Sequence, residues 1–356
     1  MQLKLDTSKT YAIALEGGGA KGAYEIGAWK ALEEAGIKYN AVSGTSVGAL
    51  NGAMMAMRDL PRAAAAWNDM RLSKVIELDK EGEADLHKAM NGELELGDIQ
   101  EFIPQMFEII RNRGLDIAPL RSWMREVVDA KKIKQSDVEL FVSTVSISDR
   151  KGLEIKINDL PEDEIYDMLL ASAYHPSFRL EKLGGKLYTD GGFVDSLPLH
   201  ALVVNGYKDI IAVRIPGMGW ERRFKMPEDV NVTTIHTNSD LGFVLNFDAE
   251  QSRRDMAIGY LDAQRVLYGL YGQKYYIDRS LTDREALEWL LDHCAEEGEN
   301  LRTVCERELP RLARKLNAED GNYYELMAAK LEQECANRDV DNMRIYTDKE
   351  LIDLVG

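Results

Sequence analysis

Residues 11–52 read YAIALEGGGAKGAYEIGAWKALEEAGIKYNAVSGTSVGALNG. Residues 11–15 are a short apolar run that stops at glycines, as a buried parallel strand does. Ala23, Ile26, Trp29 and Leu32 then recur at near-helical spacing, and Gly36 supplies the stop. Residues 37–42 form a second short apolar run. It passes through Ser43 and Gly44 into a helix with Leu50, Met54 and Met57 along one face. Strand, glycine loop, helix, strand, serine turn, helix is the opening of an α/β fold. The expected architecture is three-layered, an open and mainly parallel sheet flanked by helices on both faces.

Further strands are predicted over 138–147, 153–157 and 210–215, the last closed by Pro216 and Gly217. Ile99, Phe102, Ile103, Met106, Phe107 and Ile110 make a helical stripe that Pro104 kinks or begins. Core packing is the first reading of that stripe and a lipid-facing lid the second. Beyond Leu241 the chain reads as mostly helical. Residues 281–356 hold 19 acids and 10 bases, a charge-rich stretch with few turn signals. The expected organisation is a domain over 1–280, with its motifs in about 11–215, and an acidic helical C-terminal extension over 281–356.

The whole chain of 356 residues carries 61 acidic and 44 basic side chains, a net charge of −17. Such a field disfavours binding to nucleic acid phosphates. It also opposes an anionic membrane surface unless a local patch overrides the total. Lys4, Asp6 and Lys9 interrupt the first ten residues, so no signal-peptide core is read there. No apolar stretch is long enough for a transmembrane anchor. Cys294, Cys305 and Cys335 are odd in number and lack CxxC spacing, and read as buried free thiols in helices. The expectation is a soluble, cytoplasmic protein.

Gly44-Thr45-Ser46-Val47-Gly48 sits between a predicted strand and a predicted helix, the context in which GxSxG carries chemical meaning. A serine on so tight a turn is strained, and glycines two residues either side remove collisions. The following helix offers free N–H groups to developing negative charge. Gly17-Gly18-Gly19-Ala20-Lys21-Gly22 fits both a dinucleotide fingerprint and an oxyanion loop. The fingerprint requires an acid at the end of the second strand, about 20 residues on. That strand ends Asn40-Ala41-Val42-Ser43-Gly44 with no acid. An oxyanion loop beside Ser46 is therefore the better reading. Lys21 adds positive charge near the loop or is simply a solvated first-turn lysine.

A serine nucleophile needs a proton acceptor. His200, His236 and His293 follow in sequence, none in a loop with clear turn chemistry. Asp190 closes Leu187-Tyr188-Thr189-Asp190-Gly191-Gly192, a strand end followed by two glycines that turn the backbone tightly. Taken alone, Asp-Gly-Gly is an ordinary β-turn.

The three motifs together, in this order, resemble the patatin-like phospholipases, lipid acyl hydrolases with a Ser–Asp dyad and no histidine. Ala171-Ser172-Ala173-Tyr174-His175-Pro176 is similar to the family's Ala-Ser segment. Asp195-Ser196-Leu197-Pro198 is similar to its Asp-Asn-x-Pro stretch, with serine in place of asparagine. A weaker likeness extends to 259–262 and 275–277, while 281–356 has no counterpart. The resemblance implies Ser46 as nucleophile, Asp190 as proton acceptor, and Gly17, Gly18 and Gly19 as oxyanion donors. It implies a lipid or phospholipid substrate met transiently at a membrane surface, and no metal or other cofactor. The alternatives are a Ser-His-Asp esterase, a non-hydrolytic lipid-binding or scaffold protein on the same fold, and a dinucleotide-dependent oxidoreductase.

Overall fold

The computed structural model describes residues 1–76, 114–217, 219–294, 300–318 and 321–356. The apolar stripe from Ile99 to Ile110 lies outside them. Contacts divide the chain into two compact units, Asp6–Tyr260 and a second made of Met1–Leu5 with Leu261–Gly356.

In the first unit the strands are β1 (Thr10–Leu15), β2 (Lys38–Thr45), β3 (Glu139–Ser146), β4 (Lys151–Lys156), β5 (Tyr188–Asp190), β6 (Asp209–Val213) and β7 (Asn231–Ile235). They form one sheet in the order β4-β3-β2-β1-β6-β7, with β5 also paired to β3. The pairs β1–β2, β1–β6, β2–β3 and β6–β7 are parallel, whereas β4 and β5 run antiparallel to β3.

Strand alternation explains why both faces are covered. Ala12, Ala14, Ala41, Phe141 and Ile210 point to one face, where they meet Leu197, Ala201 and Leu202 on and beside the short helix Leu199–Val204. Leu15, Val42 and Leu140 point to the other face. There their side chains lie 3.1 to 3.8 Å from where a Cβ on Gly52 would stand, in the helix that follows the serine turn. This is the three-layer, mainly parallel α/β architecture expected from residues 11–52.

The predicted helices of that stretch are α1 (Ala23–Glu34) and α2 (Val47–Ala56), followed by α3 (Leu60–Asn68). Asn51 of α2 ties the three together. Its amide nitrogen donates to the Gly22 carbonyl and the Glu25 carboxylate, at 2.9 and 2.7 Å, and its oxygen accepts from the Trp67 indole at 2.9 Å. Further on come α4 (Ala118–Val127), α5 (Glu162–Ser172) and α6 (Ala249–Tyr268). Helices α1 and α6 meet backbone to backbone. A Cβ on Gly27 would stand 1.8 Å from the Met256 carbonyl oxygen, and one on Gly259 would stand 2.0 Å from that of Tyr24.

The second unit has helices α7 (Asp283–Cys294), α8 (Tyr323–Asn337) and α9 (Asp348–Val355) around a core that includes Tyr275, Leu290, Tyr324, Met327 and Leu351. The helical extension is present, joined by a small parallel sheet of β8 (Tyr276–Asp278) and β9 (Ile345–Thr347). Residues 261–280 group by their contacts with the C-terminal stretch. Two of the unit's acids act internally. Glu332 accepts three consecutive amides, from Gln273, Lys274 and Tyr275, each at 2.7 Å. Asp348 accepts from the Ser280 and Leu281 amides and the Tyr324 hydroxyl. Of the three cysteines only Cys335 is buried; Cys294 is half-buried and Cys305 exposed.

Candidate active site

Strand β3 brings the two candidate catalytic residues together. One of its edges is occupied by β4 along Phe141–Ser146. The other edge is shared. Strand β2 pairs with it as far as Thr45 opposite Ser143, and β5 takes over from Asp190 opposite Thr144. Ser46 directly follows the end of β2, so it and Asp190 meet at the junction.

Ser46 has φ 55° and ψ −124°, a region that non-glycine residues rarely occupy and that stores local strain. Close packing holds it there. A Cβ on Gly44 would stand 2.2 Å from the Gly48 carbonyl oxygen, and one on Gly48 would stand 2.6 Å from that of Leu15. The Ser46 amide donates to Ser172 Oγ at 2.9 Å, and that hydroxyl donates to the Ser143 carbonyl at 2.6 Å. Ser172 thus pins the Ser46 backbone to β3. Its place in the Ala-Ser motif was readable, but its role was not.

Asp190 is held by its own amide, which donates to the Tyr174 carbonyl at 2.9 Å, and by Gly192 N–H, which donates to Oδ1 at 2.8 Å. Burial raises its carboxyl pKa to about 6, while hydrogen bonding from the Ser46 side chain and the Gly192 amide works in the opposite direction. Gly191 must be glycine for packing reasons, since a Cβ would stand 2.2 Å from the Ser143 carbonyl oxygen.

The glycine loop lies alongside. A Cβ on Gly17 would stand 3.2 Å from that of Ser46. The Gly17 amide, however, donates to the Ser196 carbonyl at 2.9 Å and is already committed. Gly17 is therefore a spacer, because Asp195-Ser196-Leu197-Pro198 folds back over it. No hydrogen-bond partner for the Gly18 or Gly19 amide occurs among the described residues. Gly19 adopts φ +60°, which turns the chain away from the strand. Lys21 is neither free nor aimed at Ser46; its ammonium donates to the Pro216 carbonyl at 2.8 Å.

Ser46, Asp190 and Gly17–Gly19 all line a cavity of about 410 Å³. Its wall is mainly apolar, with Leu50, Trp67, Leu120, Trp123 and Phe178 prominent. Trp67 and Trp123 meet edge to face at 6.5 Å. The histidines weighed as alternatives are elsewhere. His200 pairs with Glu154 at 2.8 Å, His293 stacks on Trp289 in the second unit, and His236 does not line the cavity. His175 does line it, with Nδ1 2.9 Å from Ser177 Oγ, a position that no spacing rule in the sequence singles out. Among the described residues no group of three or more potential metal-ligating side chains occurs. Nor is any described helix long and apolar enough to cross a membrane.

The sequence matches the family described as patatin-like phospholipase over residues 13–203, a span that contains Gly17–Gly19, Ser46 and Asp190. The chain belongs to the patatin-like phospholipase family. Human patatin-like phospholipase domain-containing protein 6 is 29% identical over 211 residues, which is 59% of this chain and 14% of that protein. Lysophospholipase nte1 of Aspergillus terreus is 50% identical over 48 residues, 14% of this chain and 3% of its own. This patatin-like chain thus spans only a small part of those relatives. VipD from Legionella pneumophila superposes with a TM-score of 0.39 at 15% identity, over 94% of this chain and 80% of VipD.

Proposed function

We propose that this chain hydrolyses fatty-acyl esters, phospholipid or lysophospholipid, through a Ser46–Asp190 dyad. The carrying observation is the junction on β3, where a strained serine and a buried aspartate meet at the wall of an apolar cavity.

Asp190 accepts the Ser46 hydroxyl proton as Oγ bonds to the ester carbonyl carbon. The carbonyl oxygen takes the negative charge and is stabilised by the Gly18 and Gly19 amides. Collapse of the intermediate breaks the ester C–O bond, and the leaving alcohol carries away the proton from Asp190. Water then attacks the carbonyl carbon of acyl-Ser46, giving its proton to Asp190; the C–Oγ bond breaks, Asp190 returns that proton to Ser46 Oγ, and the free fatty acid departs. An aspartate ordinarily ionises near 4; the pKa of about 6 makes Asp190 a stronger base that is still mostly ionised at pH 7. The apolar cavity accommodates the acyl chain. The name lysophospholipase carried by one relative supports a lipid ester over a small polar one.

The test is hydrolysis of p-nitrophenyl acyl esters by purified protein. Ser46→Ala and Asp190→Asn are each expected to lose at least about a thousandfold in kcat while retaining the wild-type thermal transition. Retained activity in Asp190→Asn contradicts the dyad.

A further inference from the structure

Large exposed apolar side chains are scattered over the first unit, but its exposed aromatics are not. Among the described residues there are three, Phe193 at 53% exposure, Trp220 at 72% and Phe243 at 49%. Phe193 and Phe243 line the cavity while standing half in solvent, which places both at its mouth. Trp220 belongs to the same rim. Its amide donates to the Gly192 carbonyl at 2.8 Å and its carbonyl accepts from the Ser196 amide at 2.7 Å; Gly192, Ser196 and neighbouring Gly219 all line the cavity.

Basic residues follow Trp220 closely in the sequence. Residues 220–225 read Trp-Glu-Arg-Arg-Phe-Lys, three bases to one acid in a chain of net −17. Glu221 is paired with Arg214, and Arg222 with Glu154 at 3.0 Å. Arg223 and Lys225 are exposed and form no ion pair among the described residues. Exposed aromatics interleaved with bases are the pattern that inserts rings at headgroup level and draws anionic lipid to the protein.

We infer that Phe193, Trp220 and Phe243, with Arg223 and Lys225, form a docking patch for an anionic phospholipid surface, seating the cavity mouth on the membrane. The inference rests on the lipid-ester reading of the cavity but is measured apart from it. Because the chain's total charge opposes an anionic surface, the attraction is local and salt-sensitive.

The test is sedimentation of full-length Ser46→Ala protein with phosphatidylcholine vesicles and with vesicles containing phosphatidylglycerol. Binding is expected to be stronger to the anionic vesicles and to weaken as salt rises. The double variant Arg223→Glu/Lys225→Glu is expected to bind them at least about tenfold more weakly, and Trp220→Ser several-fold more weakly. The double charge reversal does not touch the dyad or the cavity lining, so in the otherwise wild-type protein it is expected to leave turnover of soluble p-nitrophenyl butyrate unchanged. Vesicle binding unaffected by these substitutions overturns the inference, as does failure to bind vesicles together with a Trp220-dependent dimer. If turnover fails while vesicle binding behaves as expected, the hydrolase reading falls and the docking patch stands.

Discussion

At Asp190, burial raises the carboxyl pKa to about 6, while the Ser46 side chain and the Gly192 amide favour its charged form. Only the ionised carboxylate accepts a proton, so kcat/KM for a soluble ester is expected to level off about one pH unit above 6 and to be half-maximal near pH 6. Below that it falls about tenfold per pH unit. A rate that holds level down to pH 4.5 contradicts the assignment. At this scale the sequence was most informative about the residues themselves. Ser46 and Asp190 stood out because glycines flank them, and the structure gives those glycines steric reasons at 44, 48 and 191. Less legible was the division of labour within the glycine loop. The engagement of the Gly17 amide by Ser196 depends on a contact between residues 179 positions apart, which no local pattern encodes. Ser172 and His175 lie within the Ala-Ser segment, but only the folded chain shows one bracing Ser46 and the other facing the cavity.

Among the elements, β3 does the positioning, because two strands from distant parts of the chain share one of its edges. Strand β5 stays paired to that edge up to Asp190. Gly191→Ala is expected to push the Asp190 turn off β3, since its Cβ falls within 2.2 Å of the Ser143 carbonyl oxygen. The predicted outcome is a loss of about 1–3 kcal/mol in stability, as overpacking ordinarily costs. A drop in esterase kcat of at least tenfold should accompany it. Wild-type kcat in this variant would show that the edge-sharing geometry is not needed. Strands β1, β2, β3 and β6 were visible as apolar runs because buried parallel strands are apolar on both faces. The three-residue strands β5, β8 and β9 are too short to carry a period.

Across the whole molecule the excess of acid has two opposite consequences for stability. In the second unit burial raises the Asp348 pKa, but hydrogen bonds from Ser280, Leu281 and Tyr324 outweigh it and leave the carboxyl below its usual value. Its stabilising contribution is therefore present at neutral pH and lost as pH falls through that lowered pKa. In the first unit Asp255 behaves the other way. Burial pushes its carboxyl up to about 7, and Oδ2 has no hydrogen-bond partner among the described residues. The folded protein then holds a proton that the unfolded chain releases near pH 4. The stability associated with Asp255 is fully present below about pH 4 and is lost as pH rises through about 7. Asp255→Asn is expected to stabilise the protein at pH 8, by about 1–3 kcal/mol, and to change little at pH 4. A melting-temperature series over that range checks it, and equal effects at both ends contradict the ionisation argument.

The central claim is that Ser46 becomes acylated, and covalent labelling tests it most directly. Treatment of the folded protein with a fluorophosphonate, followed by peptide mapping, is expected to find a stoichiometric adduct on Ser46 that Ser46→Ala abolishes. An adduct on another residue, or none on a protein that hydrolyses esters, contradicts the account.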